Sequence, residues 1–418
     1  MNRLPGYLAT DHMFTVPLDH SDPGGATIEV FAREIVAPDK AGEDLPWLLF
    51  LQGGPGAAAP RPLKVGDWLA PALRRYRVLL LDQRGTGRGT QVNARTVGDK
   101  TPEAMAAYLR LFRTESIVAD AEIIRERLTG GAQWTTLGQS YGGWITLAYL
   151  SRHPEALRTC LVTGGVPSIT GTADDVYART YETCAAKNAQ YFRRYPADQE
   201  LVRTIADRLA AEDVRLPDGD RLTPRRFRTV GNSFGMSDGF ERVHWLLESA
   251  LSGGRFTDAF LYEVMAATGF LTGPIWALQE FTYAGPGRPS GWAAERRYAE
   301  DPRFAADADP LLLTGEMMYP WMFRDIKALR PFAEAADILA ADDGLPALFD
   351  PARLAVNPVP LIAAVYADDM YVPSDLQLRT LSQIPNSRAW LTNEHEHDGL
   401  RQDPAVITRL MDMAEGHL

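Results

Sequence analysis

Five short apolar runs, each followed by a glycine-rich or polar turn, restrict the possible fold of this chain more than any other feature of the sequence. The runs are residues 47–51 before QGGPG, 78–81 before DQRGTGRG, 134–137 before GQSYGG, 160–163 before a double glycine, and 361–366 before ADD. Because they are apolar throughout, they are typical of strands that are buried on both faces. They predict a domain built around a buried sheet.

Segments with helical periodicity lie between these runs. Residues 115–128 place four apolar side chains on one face, and residues 141–151 are good helix material after a double glycine. Strands that alternate with helices indicate a mostly parallel sheet with helices on both faces, in which functional loops gather at the carboxyl ends of the strands. Residues 1–45 alternate well enough to form antiparallel strands at one edge of the sheet.

The alternation of strands and helices stops near Pro167 and resumes near Pro358. At 418 residues the chain is longer than one compact core usually holds, so a large insertion or a second domain is expected. The intervening stretch has aromatic-rich helical patterns and no convincing buried strand. We therefore predict an α/β domain formed by residues 1–167 and 351–418, covered by a helical cap formed by residues 168–350, which we call the cap segment.

The composition limits the possible partners. Hydrophobic residues make up 45% and charged residues 23% of the chain, as in ordinary globular proteins. The formal net charge of −11 argues against nucleic acid or an anionic membrane surface as the main partner. No stretch approaches the ~20 apolar residues of a membrane span, and the N-terminus lacks a signal-peptide pattern. We expect a soluble, cytoplasmic protein in which Cys160 and Cys184 are buried free thiols.

The candidate nucleophile lies in the turn after the third run. Residues 138–142, GQSYG, fit the pattern G-x-S-x-G, with an apolar run before them and a helix-forming run after them. A nucleophile elbow requires that context, because its sharp turn from strand to helix exposes a strained serine and its glycines avoid side-chain clashes. The alternative for the bare pattern is a glycine turn with a serine N-cap. The placement between strand and helix favours Ser140 as a nucleophile.

A serine nucleophile needs a base, and the base needs an acid that orients it. Of the seven histidines, His395 and His397 follow the final apparent strand at residues 388–391, where the chain order serine, acid, histidine places the base. We choose His397 and expect His395 to be a bystander. The acid should follow the preceding strand, where Asp369 matches the loop form D-x-x-V-P. Asp368 stays open as an alternative, and would otherwise cap the turn.

Attack on a carbonyl group also needs N–H donors for the developing oxyanion. One should be the backbone N–H of Tyr141, which follows the nucleophile. The other should come from QGGPG, where the N–H groups of Gly53 and Gly54 are unobstructed by side chains. The sequence has no metal cluster, phosphate loop or nucleotide fingerprint, so we expect neither a metal nor a cofactor.

Three motifs together resemble the prolyl aminopeptidases (proline iminopeptidases), a family of serine peptidases with the α/β-hydrolase fold. QGGPG at 52–56 looks like their HGGPG signature, DQRGTGR at 82–88 looks like their DQRGxGxS segment, and GQSYGG is similar to their serine elbow. Residues 239–248 and 314–323, with DDMYVP and EHDGLR, resemble the larger members, which carry a long helical cap. The resemblance implies an α/β-hydrolase catalytic domain with a large cap insertion, and removal of an N-terminal proline.

Two positions depart from the family pattern. Gln52 stands where the signature has histidine, which is not a triad member, so we expect catalysis to survive while the hydrogen bonding of the loop differs. Residues 88–90, RGT, replace the usual Arg-Ser, and no consequence of this change follows from the sequence.

The resemblance also implies that cap glutamates hold the cationic N-terminus of the substrate by charge-assisted hydrogen bonds. The candidates in aromatic-rich parts of the cap segment are Glu241, Glu248, Glu280 and Glu316. The last two are preferred, because a charge between apolar neighbours usually needs a partner. The first two are seven residues apart and are equally typical of an exposed salt-bridging helix face. Four aromatic residues are candidates for a pyrrolidine pocket, with core packing as the alternative: Trp276, Phe281, Tyr319 and Trp321.

The predicted activity is that of a serine exopeptidase releasing N-terminal proline from small peptides or aminoacyl amides, as a monomer or small homo-oligomer. The elbow does not separate this activity from that of a broader aminopeptidase, an esterase or an amidase, because one triad serves them all. A noncatalytic binding protein on the same fold is disfavoured, since it has no use for a complete set of Ser140, Asp369 and His397.

Overall fold

The computed structural model describes residues 2–418, and nine of the strands in that range form one central sheet. The strands are β1 (Asn2–Leu4), β2 (Tyr7–Pro17), β3 (Thr27–Val36), β4 (Trp47–Leu51), β5 (Arg77–Leu81), β6 (Trp134–Gln139), β7 (Leu157–Thr163), β8 (Leu251–Ser252), β9 (Arg255–Phe256), β10 (Leu361–Tyr366) and β11 (Ser387–Thr392). Their order across the sheet is β1-β2-β3-β5-β4-β6-β7-β10-β11. The six strands from β5 to β11 in that order run parallel, and β1 to β3 add an antiparallel edge. The predicted fold class is confirmed.

Helices connect the parallel strands and fill the segment before β10. They are α1 (Leu69–Leu73), α2 (Pro102–Arg110), α3 (Thr114–Thr129), α4 (Tyr141–Arg152), α5 (Ala173–Arg194), α6 (Pro196–Ala211), α7 (Pro224–Arg228), α8 (Gly239–Glu248), α9 (Asp258–Thr268), α10 (Ala293–Glu300), α11 (Met322–Asp325), α12 (Ala333–Ala340), α13 (Pro351–Leu354), α14 (Ser374–Leu381), α15 (Gly399–Gln402) and α16 (Pro404–Glu415). Short 3-10 turns supplement them, among them Thr229–Gly235 and Pro274–Thr282.

Alternate residues of the central strands face two separate cores. On β4, Leu49 and Leu51 pack in the cluster that includes α3 and α4, whereas Leu48 and Phe50 pack in the cluster that includes α1 and α16. All four side chains are at most 2% exposed. Each contributes roughly 1.5–3 kcal/mol by leaving water. The unbroken apolar runs of the sequence are therefore the signature of a sheet covered on both faces.

Between β7 and β10 the chain forms helices α5 to α13. Helix α5 begins with a capping box, in which the Thr172 hydroxyl accepts the N–H of Asp175 and the Asp175 carboxylate accepts the N–H of Thr172. The short strands β8 and β9 form a part-exposed hairpin rather than a buried strand pair. Helices α5 to α12 lie within the cap segment, and their apolar residues join the same cluster as α3 and α4.

Arg84, in the turn after β5, is buried among polar groups from distant parts of the chain. It donates two hydrogen bonds to the Asp120 carboxylate of α3, both of 2.7 Å. It also donates to the carbonyl oxygens of Leu18 at 2.8 Å and Leu111 at 2.6 Å. This side chain therefore connects the N-terminal strands, the end of α2 and α3.

Cys160 and Cys184 are both buried and unbonded to each other, as the sequence predicts. Within residues 2–418, no helix combines the length and the hydropathy of a membrane span.

Candidate active site

Ser140 lies in the turn between β6 and α4, in a backbone conformation that residues other than glycine rarely adopt. Its φ is 55° and its ψ is −124°. Neighbouring strands hold the turn, because the N–H of Ser140 donates to the carbonyl of Thr163 at 3.1 Å. Gly142 passes so close to β4 that a Cβ there would lie 1.9 Å from the Leu51 carbonyl oxygen. A strained serine at the carboxyl end of a central strand has the geometry of a nucleophile elbow.

The predicted N–H donors lie beside this serine. Gly53 is so close that a Cβ added to it would lie 2.8 Å from the Cβ of Ser140. Gly54 follows with a φ of 119°, which favours glycine. Tyr141 is the first residue of α4, and the first N–H groups of a helix have no acceptor within the helix. Backbone donors from two sides therefore flank Ser140.

Asp369 and His397 are in direct contact after β10 and β11. The Nδ1 atom of His397 lies 2.8 Å from Oδ2 of Asp369. The other oxygen, Oδ1, accepts the N–H groups of Tyr371 at 2.8 Å and Val372 at 3.0 Å. Asp369 therefore caps the turn, a role that the sequence left open for Asp368, because its Oδ1 accepts these two N–H groups. Asp368 is exposed.

A glycine pair after β7 separates the serine from the aspartate. A Cβ on Gly165 would lie 2.3 Å from the Ser140 carbonyl oxygen, and one on Gly164 would lie 3.1 Å from Oδ2 of Asp369. Ser140 and Asp369, at the carboxyl ends of β6 and β10, therefore each lie against one of two adjacent glycines. His395 is part-exposed, with its ring 6.1 Å from that of Trp390, and does not contact Asp369.

The charges around His397 determine its basicity. Burial lowers the pKa of His397, but the Asp369 carboxylate beside it and the more distant Glu316 raise it, and the net pKa lies above the ordinary imidazole value. Because Nδ1 faces Asp369, Nε2 is left as the ring nitrogen that can accept a proton. A serine, a histidine and an aspartate are the residue types that acyl transfer uses as nucleophile, base and orienting acid, and the His397–Asp369 contact is the one that such a set requires between base and acid.

Glu316 is a candidate cap carboxylate whose charge acts on His397. Its Oε1 accepts a hydrogen bond of 2.9 Å from Nε1 of Trp276. The backbone of Trp276 borders the glycine turn after β4, because a Cβ on Gly56 would lie 3.2 Å from its nitrogen. Glu316 keeps a part-exposed surface, yet protein surrounds its carboxyl group, and burial raises the pKa of Glu316 to about 7 against the opposing charge of His397.

Glu280 is buried, and its carboxylate accepts hydrogen bonds from the N-terminus of a helix. Its two oxygens accept the N–H groups of Ala293 at 3.1 Å and Ala294 at 2.9 Å, at the start of α10. Burial raises the pKa of Glu280 to about 7, although these hydrogen bonds oppose the shift. Burial, together with the charges of Glu280 and Glu316, also raises the pKa of Tyr177. Both carboxyl groups therefore act on one phenol of α5.

Glu241 and Glu248 lie on the outward face of α8. Glu241 forms an ion pair with Arg194 and lies 3.4 Å from the Tyr195 hydroxyl. Glu248 is exposed. Glu241 thus contacts the end of α5, and Glu248 faces solvent. This is the arrangement of an exposed salt-bridging helix face, the alternative that the sequence left open for these two residues.

The four candidate pocket aromatics do not form one wall. Trp276 contacts Glu316, whereas Phe281 is buried, with the Arg113 guanidinium 6.0 Å from its ring centroid. Tyr319 and Trp321 stack on each other with ring centroids 5.7 Å apart. The Tyr319 hydroxyl bonds to that of Tyr181 at 2.9 Å. Phe281 and Tyr319 are therefore core residues, and Trp321 packs on Tyr319 from a part-buried position, whereas Trp276 contacts the candidate site residue Glu316.

Sequence reasoning missed several groups around His397. The Tyr371 ring stands edge-on to the imidazole, with centroids 4.7 Å apart, and was within reach of prediction because it belongs to the DDMYVP motif. The carbonyl of Gly235 accepts the N–H of His397 at 3.2 Å, and Lys187 forms an ion pair with Glu396. Gly235 and Lys187 have no sequence signal, because they lie more than a hundred residues from the histidine.

The sequence is similar to α/β hydrolases and, over nearly its whole length, to proline iminopeptidases. The family model described as alpha/beta hydrolase fold matches residues 46–257. The proline iminopeptidase of Aeromonas sobria is 47% identical over 412 residues, which cover 98% of this chain and 97% of that protein. The proline iminopeptidase aneH of Aspergillus aculeatus is 32% identical over 417 residues, covering 96% and 93% respectively. A proline iminopeptidase of Neisseria meningitidis is 33% identical over 117 residues, covering 28% of this chain and 32% of that protein.

Proposed function

Because the chain belongs to the proline iminopeptidase family of α/β hydrolases, we propose that it is a serine exopeptidase that releases N-terminal proline from peptides. The observation that carries the proposal is the carboxyl group of Glu316, which is enclosed by protein, is bonded to Trp276, and lies close enough to His397 for its charge to raise the pKa of the imidazole. An esterase has no need of a carboxylate at that place. An enzyme that must hold a cationic N-terminus beside its nucleophile does.

In the proposed mechanism, Ser140 attacks the prolyl carbonyl carbon while Nε2 of His397 takes the hydroxyl proton. The N–H groups of Tyr141 and of Gly53 or Gly54 stabilise the oxyanion of the tetrahedral intermediate. His397 then protonates the leaving amine, which departs as the shortened peptide and leaves a prolyl ester on Ser140. Water, deprotonated by His397, hydrolyses that ester and releases proline.

We assign the substrate's amine to Glu316, with Glu280 as the second carboxyl. Glu280 already accepts two backbone N–H groups, but a carboxylate has further lone pairs for a cation. Trp276 supplies an apolar surface beside Glu316 for the pyrrolidine ring. A substrate with a longer N-terminal extension would carry no charge at this point, so the carboxyls select for exopeptidase action.

We also propose the division into an α/β-hydrolase domain, residues 1–167 and 351–418, and a cap, residues 168–350. Its support is that the segment between β7 and β10, which contains helices α5 to α12, also contains Glu316 and Trp276. We further propose that the enzyme acts in the cytoplasm on small peptides or aminoacyl amides, without metal or cofactor, as a monomer or small homo-oligomer.

The test is hydrolysis of a prolyl arylamide against a panel of other aminoacyl arylamides and acyl esters. We expect prolyl turnover in the wild type and its loss in Ser140→Ala and His397→Ala. Protein that ignores prolyl arylamide but cleaves acyl esters would refute the proposal in favour of an esterase. Comparable rates across the panel would indicate a broader aminopeptidase. Failure of a fluorophosphonate to label Ser140 would indicate a noncatalytic protein.

A further inference from the structure

The loop that carries His397 is bonded to the cap segment through three consecutive residues. Glu396 forms an ion pair with Lys187 of α5, and the N–H of His397 donates to the Gly235 carbonyl. Asp398 accepts the N–H and the hydroxyl of Ser237, both at 3.0 Å. The base therefore lies in a loop whose neighbours on each side are fixed by the cap segment, although the loop itself follows β11 of the sheet.

Lys187 is the most enclosed of these partners. It is 2% exposed, and burial of an ammonium group is unfavourable unless an anion faces it. Its anion is Glu396, whose second oxygen, Oε2, is buried and has no hydrogen-bond partner within residues 2–418. The two charges thus depend on each other, and the pair fixes the residue directly before His397.

The next residue of α5 bonds to the segment that leads to Glu316. The Asn188 amide donates to the Leu313 carbonyl at 2.9 Å, and its oxygen accepts the N–H of Leu313 at 2.8 Å. Leu313 precedes Glu316 by three residues. Two consecutive residues of α5, Lys187 and Asn188, therefore contact the loop of His397 and the segment that leads to Glu316.

We propose that Lys187 is a positioning residue for the His397 imidazole, acting through its ion pair with Glu396. The inference rests on the proposed role of His397 as the general base. Lys187 touches neither substrate nor reacting atoms in this scheme. Its effect is to hold Nε2 at the correct distance from the Ser140 hydroxyl, because small displacements of a catalytic group greatly reduce the rate of the chemical step. Loss of the pair should therefore lower kcat while KM changes little.

The experiment compares Lys187→Met, Lys187→Arg, Glu396→Gln and the double variant Lys187→Met/Glu396→Gln on prolyl arylamide. We expect Lys187→Met to reduce kcat by about 10-fold or more with KM within about 2-fold of wild type. Lys187→Arg, which keeps the cation, should recover most of the rate. The double variant should be no slower than the slower single variant, because both substitutions break the same pair.

The matched control is Arg179→Met. Arg179 lies two turns earlier on α5 and forms an ion pair of 2.6 Å with Asp375 of α14, away from the histidine loop. We expect the kcat of Arg179→Met to equal that of wild type. That result would show that the loss of rate is specific to the Lys187–Glu396 pair and does not follow from breaking any ion pair of α5. Thermal unfolding of every variant identifies any that fail to fold. The double variant leaves no unpaired buried charge, so it keeps the test valid if Lys187→Met is unstable.

Unchanged kcat in folded Lys187→Met, or a rise in KM alone, would overturn the inference. A double variant whose loss in kcat equals the product of the two single losses would also overturn the inference, because Lys187 and Glu396 would then have independent roles. Fluorophosphonate labelling of Ser140 gives the same comparison without a peptide substrate, and we expect Lys187→Met to label more slowly by a similar factor. Wild type that labels but ignores prolyl arylamide would refute the proposed function alone, and the labelling rates would still decide the role of Lys187.

Discussion

The carboxylate of Asp369 divides its two oxygens between the backbone and the histidine. Oδ1 accepts the N–H groups of Tyr371 and Val372, which prevents the side chain from rotating, and Oδ2 faces Nδ1 of His397. This division fixes the imidazole tautomer as well as its position. Asp368 precedes it in the chain yet faces solvent.

The neighbouring aspartates provide a matched test at this scale. We expect Asp369→Asn to lower kcat by roughly 10⁴-fold, because an amide cannot stabilise the imidazolium and favours the wrong tautomer. Asp368→Asn carries the same chemical change on an exposed side chain and should keep the wild-type kcat. Steady-state kinetics on prolyl arylamide would check both, and a large loss in Asp368→Asn would contradict the assignment.

The pH dependence of Glu316→Gln tests the coupling between this carboxyl and His397. The base must be neutral, so kcat/KM should fall as the pH drops through a His397 pKa that lies above the ordinary value. Glu316 contributes to that elevation, and it must itself lose a proton with a pKa of about 7 to bind a cation. Removing its charge should therefore move the acid limb of the profile to lower pH.

The same variant should also bind the substrate's amine less well. A hydrogen bond to a charged group contributes about 1.5–3 kcal/mol, so kcat/KM at the optimum should fall by roughly 10- to 100-fold. The control is Glu334→Gln, on an exposed face of α12, which should keep the wild-type profile. An acid limb that stays in place or moves to higher pH in Glu316→Gln would exclude the coupling.

At the scale of elements, the turn from β6 to α4 depends on close contact between backbones. Gly142 lies against β4, and Gly165, in the loop after β7, lies against Ser140. No side chain separates these segments, so the position of Ser140, the proposed nucleophile, follows directly from that of the strands. The buried face of α4 completes the packing, since Tyr141 to Ser151 are all buried.

Gly142→Ala should destabilise this element measurably. The added methyl group would meet the Leu51 carbonyl at 1.9 Å, and overpacking of this kind costs about 1–3 kcal/mol in the free energy of unfolding. Gly42→Ala adds the same group where no atom lies within 4 Å, and should change the free energy by less than about 0.5 kcal/mol. Urea-induced unfolding measures both, and equal effects would show that the contact is unimportant.

The strands were predictable from sequence because burial on both faces leaves an unbroken apolar run. The ends of the strands were not. β7 begins at Leu157, before the predicted run, because Leu157 and the part-buried Thr159 still pair with Trp134 and Thr135 of β6, although the register shifts at the exposed Arg158 between them. β6 continues to Gln139, since Gly138 and Gln139 pair with Val162 and Thr163. Backbone pairing sets the limits of a strand. A sequence pattern reveals those limits only where the paired residues have apolar side chains.

At the scale of the whole molecule, the turns that carry the proposed catalytic residues were predictable and the packing of the cap segment was largely not. Ser140 and Asp369 belong to local patterns that a strand and a turn require. Among the candidate glutamates, Glu241 and Glu316 have similar aromatic surroundings in sequence, but one pairs with Arg194 on the surface and the other lies near His397. Tertiary packing alone decides between them, and a single sequence does not record it.

Arg84 allows a test of how the parts of the molecule are joined. Arg84→Met would leave the buried Asp120 without its guanidinium partner, which should lower the free energy of unfolding by roughly 3–5 kcal/mol. Arg88→Met, four residues later, removes a cation that is half exposed and pairs with Asp11, so we expect a loss below about 1 kcal/mol. Calorimetric or urea unfolding would show whether the two effects differ as stated.

The pairing of β7 with β10 has a consequence for how the chain folds. The two strands are neighbours in the sheet, but the whole cap segment lies between Thr163 and Leu361 in the chain. On the ribosome, β7 is therefore synthesised long before its partner and presents an unpaired edge while the intervening helices emerge. Such edges attract other strands. Because the entropy of closing a loop grows only slowly with its length, this delay threatens the yield of folded enzyme more than its final stability.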